Sequence, residues 1–111
     1  MSEQFDRYME GWLKGDAEMV LSACAEDFVY DDPEDGRMTK AQFAEYWATG
    51  PEGENSWSDA VMQEADGVET GWCWFHWMPE GKSAEAEQQG AAMVKADADG
   101  VHLHRIAYYK R

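Results

Sequence analysis

Basic residues, sulfhydryls and long apolar runs are all scarce in this chain. Nine Lys and Arg face 23 Asp and Glu, a net charge of −14 over 111 residues. Such a surface repels phosphates, which argues against nucleic acid or an anionic membrane as a partner. Two cysteines, Cys24 and Cys73, form no metal or redox spacing. They read as small buried hydrophobes in a reducing compartment, so a cytoplasmic location is expected. No run approaches the roughly 18 apolar residues of a membrane span. The opening MSEQFDRYME lacks the basic and apolar regions of a signal peptide. A Gly-rich phosphate loop, a nucleophile elbow and a Cys–His pairing are missing too, and no cofactor is expected.

Aromatic residues, by contrast, are plentiful: 44% of residues are hydrophobic, 14% are aromatic and six are Trp. This suits one domain over residues 1–111 with a single core. The first half reads as helices. Phe5, Tyr8, Met9, Trp12 and Leu13 recur at helical spacing, and Gly15 is a natural stop. Asp16 caps a second helix bearing Met19, Val20, Ala23 and Cys24. Phe28 to Asp31 is short and β-prone, closed by Pro33 and the turn PEDG. Thr39 and Gln42 form a capping box for a third helix with Phe43, Tyr46 and Trp47 on its inner stripe, and GPEGEN follows as a loop. The second half reads as strands. Residues 57–65 and 68–78 flank the hairpin signal Asp66-Gly67, and 90–97 and 101–110 flank Asp99-Gly100. The polar PEGKSAEAEQQ connects the two hairpins. Helices followed by antiparallel strands make an α+β layout.

The stretch YMEGWLKGDAEMVLSACAEDFVYDDPEDGRMTKAQFAEYW resembles the opening of the NTF2-like superfamily, in its ketosteroid isomerase and SnoaL-like branch, and DGVHLHRIAYYKR resembles that family's closing strand. The resemblance spans nearly the whole chain. It implies a cystatin-like α+β cone: three N-terminal helices packed on a curved, mostly antiparallel sheet around a mostly apolar pocket. In the isomerase branch a helix-one Tyr steadies the substrate carbonyl oxygen and the Asp before Pro is the general base. These positions fall on Tyr8 and Asp32. The isomerases' second oxyanion donor falls near Ala92, which has nothing to donate. Losing such a donor costs about two to three powers of ten in rate, so steroid isomerisation itself is not expected. The rival role for Asp31 and Asp32 is to cap the turn before Pro33.

Strand alternation, taken with the family frame, places Cys73, Phe75 and Trp77 inside, with Ala92, Val94 and Ala96 beside them. On the last strand it points Leu103, Arg105, Ala107 and Tyr109 inward. Arg105 would then need a partner, either Asp32 or a substrate carboxylate. Trp12, Trp47, Phe75, Trp77, Val94, Arg105 and Tyr109 are the expected substrate-binding residues, although core packing explains the tryptophans equally well. Trp72, Trp74, His76, His102, His104, Ile106 and Tyr108 fall on the outer face, a common dimer surface in this superfamily, so a homodimer is expected there. His102 and His104 share a parity fit for zinc, but a polar island in an interface is the simpler account and no metal is assigned. A calcium loop around ADADG fails, because Lys95 and Ile106 occupy its first and twelfth positions. The expected function is a small-molecule enzyme or binder acting on an apolar carbonyl compound through proton transfer. The alternative is a non-catalytic ligand-binding or dimerisation module.

Overall fold

The computed structural model describes residues 3–49, 53–81 and 87–109. Helix α1 (Glu3–Lys14) buries Phe5 and Tyr8 and packs Met9 and Trp12 beside them. Gly15, in the left-handed region at φ 69°, stops it. Asp16 then accepts a hydrogen bond from the Met19 N–H at 3.1 Å and opens α2 (Ala17–Ser22). This helix is shorter than its apolar spacing suggests. Its cap residue Ala23 accepts from the N–H of Val101 at 2.9 Å, which draws the backbone into the sheet, and Cys24 starts strand β1 (Cys24–Asp32).

Strand β2 (Gly36–Thr39), which the sequence reading left out, returns antiparallel after the PEDG turn, pairing Gly36 with Asp32. Thr39 and Gln42 complete the reciprocal cap: the Thr39 N–H donates to Gln42 Oε1 at 2.9 Å and the Gln42 N–H to Thr39 Oγ1 at 3.3 Å. Helix α3 (Lys40–Thr49) follows and buries Phe43.

Strands β3 (Gly53–Ala65) and β4 (Val68–Pro79) meet at Asp66-Gly67, both at positive φ (54° and 80°), as a two-residue primed turn requires. Strand β3 starts earlier than expected, within the segment read as a loop; Gly50, Pro51 and Glu52 lie outside the described residues. So do residues 82–86 of the polar connection before β5 (Gln88–Asp97), and Lys110 at the expected end of β6 (Gly100–Tyr108).

The six strands form one sheet in the order β2-β1-β6-β5-β4-β3, antiparallel except for the parallel β1–β6 pair. The core gathers Phe5, Tyr8, Val20 and Phe43 from the helices and Phe28, Tyr30, Val94, Ala96 and Val101 from the sheet. This is the cystatin-like α+β arrangement.

Two irregularities shape the sheet. Between β3 and β4, Asp59 (φ 56°) and Ala60 are inserted between the pairs Ser58–Trp74 and Val61–Trp72. Between β5 and β6, Lys95 pairs with Leu103 but Ala96 pairs with Val101, leaving His102 as an extra residue. Gly90 marks a tight approach, where a Cβ would stand 1.9 Å from the Ala107 carbonyl oxygen and 2.8 Å from the Phe75 ring. Gly90→Ala must therefore part β5 from β6. We expect a loss of about 1–3 kcal/mol, read as a lower urea midpoint; an unchanged midpoint would show that the approach is not tight.

Candidate active site: an aromatic cavity

Helices and sheet enclose an open cavity of about 980 Å³. Trp12 and Trp47 line its helical side, with ring centroids 4.4 Å apart. Trp57, Cys73, Phe75 and Trp77 line it from β3 and β4, and Ala92 and Val94 from β5. The β4 and β5 alternation thus falls as expected, and Trp12, Trp47, Phe75, Trp77 and Val94 all meet the cavity.

The last strand does not follow the expected parity. Val101 is buried, but the extra residue His102 shifts the alternation, so that His104, Ile106 and Tyr108 face the cavity. Arg105 lies outside, 2.9 Å from Asp31, its cross-strand neighbour on β1. Tyr109 is 55% exposed and packs edge-on against Trp74. Neither residue reaches the cavity, and among the described residues no guanidinium lines it. His104, Ile106 and Tyr108 likewise leave the outer face to which alternation assigned them. The sequence carried one signal of the slip: an inward frame required a buried Arg105, whereas the shifted frame puts His, Ile and Tyr inside.

Asp31 and Asp32 face opposite ways, Asp31 outward to Arg105 and Asp32 inward. Asp32 is fully buried. Its Oδ1 accepts the N–H groups of Glu34 and Asp35 at 2.8 and 3.2 Å, forming the turn cap. Its Oδ2 accepts the hydroxyls of Tyr108 and Tyr30 at 2.9 and 3.3 Å. The carboxylate therefore meets the cavity through the tyrosines that line it and does not itself form part of the wall. Burial, first, and the neighbouring Asp32 charge raise the pKa of both phenols, so Tyr30 and Tyr108 remain protonated.

Tyr8 is also fully buried and stands one layer behind the wall. Its hydroxyl lies 2.6 Å from Nδ1 of His104, and burial raises its pKa. Around His104 the rings of Tyr8, Trp12 and Tyr30 stand nearly perpendicular, at 76°, 80° and 87°. Burial lowers the His104 pKa to about 3, the nearby Asp32 charge opposing it only in part, so the ring is neutral at physiological pH.

The histidines do not converge. His76 sits 3.0 Å from Glu87 on the opposite sheet face. His102 turns its Nε2 to Asp97 at 2.7 Å and its Nδ1 to Asp27, and these hydrogen bonds raise its pKa. His102, Asp97 and Asp99 do bring donor atoms within 4.8 Å of one another. That grouping differs from the one the sequence suggested, and the His102 nitrogens are already bonded to carboxylates.

The chain belongs to the SnoaL-like domain family, whose model matches residues 5–109. No curated protein matches it in sequence. Among solved structures it is similar to an NTF2-like protein of unknown function from Pseudomonas putida KT2440 (TM-score 0.77, 13% identity, covering 95% of this chain and 81% of the other). It is also similar to a candidate polyketide cyclase from Xanthomonas campestris pv. campestris (TM-score 0.66, 17% identity, 97% and 87%). A third is the Orange Carotenoid Protein of Anabaena (Nostoc) sp. PCC 7120 binding canthaxanthin (TM-score 0.79, 13% identity), of which the match covers 35%, against 96% of this chain. At these identities the likeness is one of fold.

The two perturbed histidines act on stability with opposite signs. His104 takes up a proton in the unfolded chain below about pH 6.5 but not in the folded one until about 3. Its contribution is present above pH 6.5 and is lost on acidification, with a slope of up to about 1.4 kcal/mol per pH unit. His102, with a raised folded pKa, stabilises below its unfolded value and loses that contribution as pH rises through the folded one. Urea midpoints across the pH range should show a shallower acid limb in His104→Phe and a shallower alkaline limb in His102→Asn; unchanged limbs would refute the assignments.

Proposed function

We propose that this domain takes an uncharged, ring-bearing small molecule with an oxygen function into its aromatic cavity. The carrying observation is the cavity itself: about 980 Å³, walled by Trp, Phe and Tyr, with neutral His104 and Tyr108 as inner polar groups. Sites of at least about 300 Å³ with a few convergent polar groups suit metabolite-sized ligands. Glu34, Asp35, Glu54 and Glu80 outnumber Lys14 among the charged residues that line it and disfavour anionic ligands. The similar carotenoid protein, which holds canthaxanthin, supports an apolar occupant.

Proton transfer on a carbonyl compound is the second reading, and the Tyr108–Asp32 hydrogen bond favours it. As the Tyr108 oxygen takes a proton from the carbon next to the carbonyl, its own hydroxyl proton would pass to Asp32, and the reverse transfer would return a proton to the product, in place of the direct base the family resemblance implies. Cyclic and β,γ-unsaturated ketones should quench the cavity tryptophans saturably at micromolar to millimolar concentration. Deuterium uptake next to the carbonyl, lost in Asp32→Asn, would establish the enzyme; binding without uptake leaves a binding domain, and no quenching removes both readings.

The outer sheet face carries Trp72, 41% exposed, in one cross-strand row with Met93 and Arg105, and Trp74 in the next. We propose a homodimer through this face, without the three β6 residues that turn inward. Sedimentation should give a dimer that Trp72→Glu converts to monomer, and a monomeric wild type would end the idea. The described residues contain no helix long and apolar enough to cross a membrane. The free Cys24 and Cys73 support a reducing, cytoplasmic setting.

A further inference from the structure

Tyr8 is fully buried, and its hydroxyl must donate somewhere or leave a desolvated O–H unmet. Among the described residues its one hydrogen-bond partner that can accept is Nδ1 of His104, at 2.6 Å. The Trp12 indole N–H inclines toward the phenol oxygen and lowers its pKa. It stops short of hydrogen-bond geometry, and it offers a donor, not an acceptor. Nδ1 therefore receives a proton and cannot carry one. A neutral imidazole with a free lone pair at Nδ1 holds its hydrogen on Nε2.

Among the described residues His104 makes its hydrogen bond through Nδ1 alone, which leaves Nε2 without a partner, and the ring forms part of the cavity wall. The perpendicular rings of Trp12 and Tyr30 supply only weak π acceptors. The cavity wall thus presents at His104 an uncharged N–H donor awaiting an oxygen.

We propose that His104 Nε2–H is the group that binds and polarises a ligand carbonyl oxygen, with Tyr8 as the positioning residue that fixes its tautomer. The proposal rests on the small-molecule reading of the cavity and names the atom that recognises the ligand. It moves the donor from Tyr8, where the family resemblance places it, to the histidine in front. It also supplies a donor where the empty position at Ala92 offered none. Because Nε2 already bears the hydrogen, His104 acts as a neutral electrophile, not as a base.

The test has two parts. Long-range ¹H–¹⁵N spectra of the free protein should show His104 as the Nε2–H tautomer, and Tyr8→Phe should release it to a mixture. In titrations followed by tryptophan fluorescence, 2-acetylnaphthalene should bind about tenfold more tightly than 2-ethylnaphthalene. His104→Phe should abolish that preference while leaving the hydrocarbon's affinity unchanged, and His104→Gln, which restores an N–H, should recover part of it. An Nδ1–H tautomer, equal affinity for the two probes, or a preference that survives His104→Phe overturns the proposal while the cavity reading stands. Failure of both probes to bind overturns the cavity reading and this proposal with it.

Discussion

The architecture of the site depends on one inserted residue. His102 is the surplus position where β5 and β6 slip against each other, and it is gripped by Asp97 on one side and Asp27 on the other. A bulge reverses the faces of everything beyond it, because side-chain period in a strand is two. Past His102 the chain sends His104, Ile106 and Tyr108 into the cavity and Arg105 out to Asp31. Without the insertion the cavity would hold a guanidinium and lose His104 and Tyr108. The bulge that sets the chemistry of the interior thus carries its surplus side chain in an ion cluster at the surface.

Inside, polarity is arranged in two layers. The wall carries neutral donors and acceptors, His104 and Tyr108; the layer behind carries the groups that orient them, Tyr8 and Asp32. Asp32 binds the turn with one oxygen and the tyrosines with the other, so it serves as turn cap and as support for the cavity wall together. The two functions set against each other in reading the sequence are performed by the two oxygens of one carboxylate. A charge held this way is satisfied on both sides, which makes its burial tolerable.

Signals that are local and chemical were legible in the sequence. Gly15, Asp16, the Thr39–Gln42 box and Asp66-Gly67 act through backbone groups a few residues away, and each stands where its chemistry required. The family likeness placed the cone, and alternation placed β4 and β5 correctly. The closure of α2 at Ser22 and the strand β2 were not legible, because both depend on partners distant in the chain: Val101 for the one, β1 for the other. The parity of β6 failed for the same reason. A bulge is a relation between two strands, and in the single strand's pattern of Leu, Arg, Ala and Tyr only the awkward burial of Arg105 hinted at it. Placing Tyr8 and Asp32 one layer behind the wall required the neighbours that stand in front of them.

At the far edge of the sheet, β3 runs for thirteen residues with one side unpaired, and from Ser58 onward its residues are exposed. A flat strand of that length is a template on which unfolded or neighbouring chains can deposit, the first step toward cross-β fibrils. The left-handed kink at Asp59, with Glu64 further along, interrupts the row of free N–H and C=O groups and charges its border. A strand interrupted and charged in this way is a poor template for another. A chain that displays this much aromatic surface on its sheet face keeps its remaining flank inhospitable to another strand.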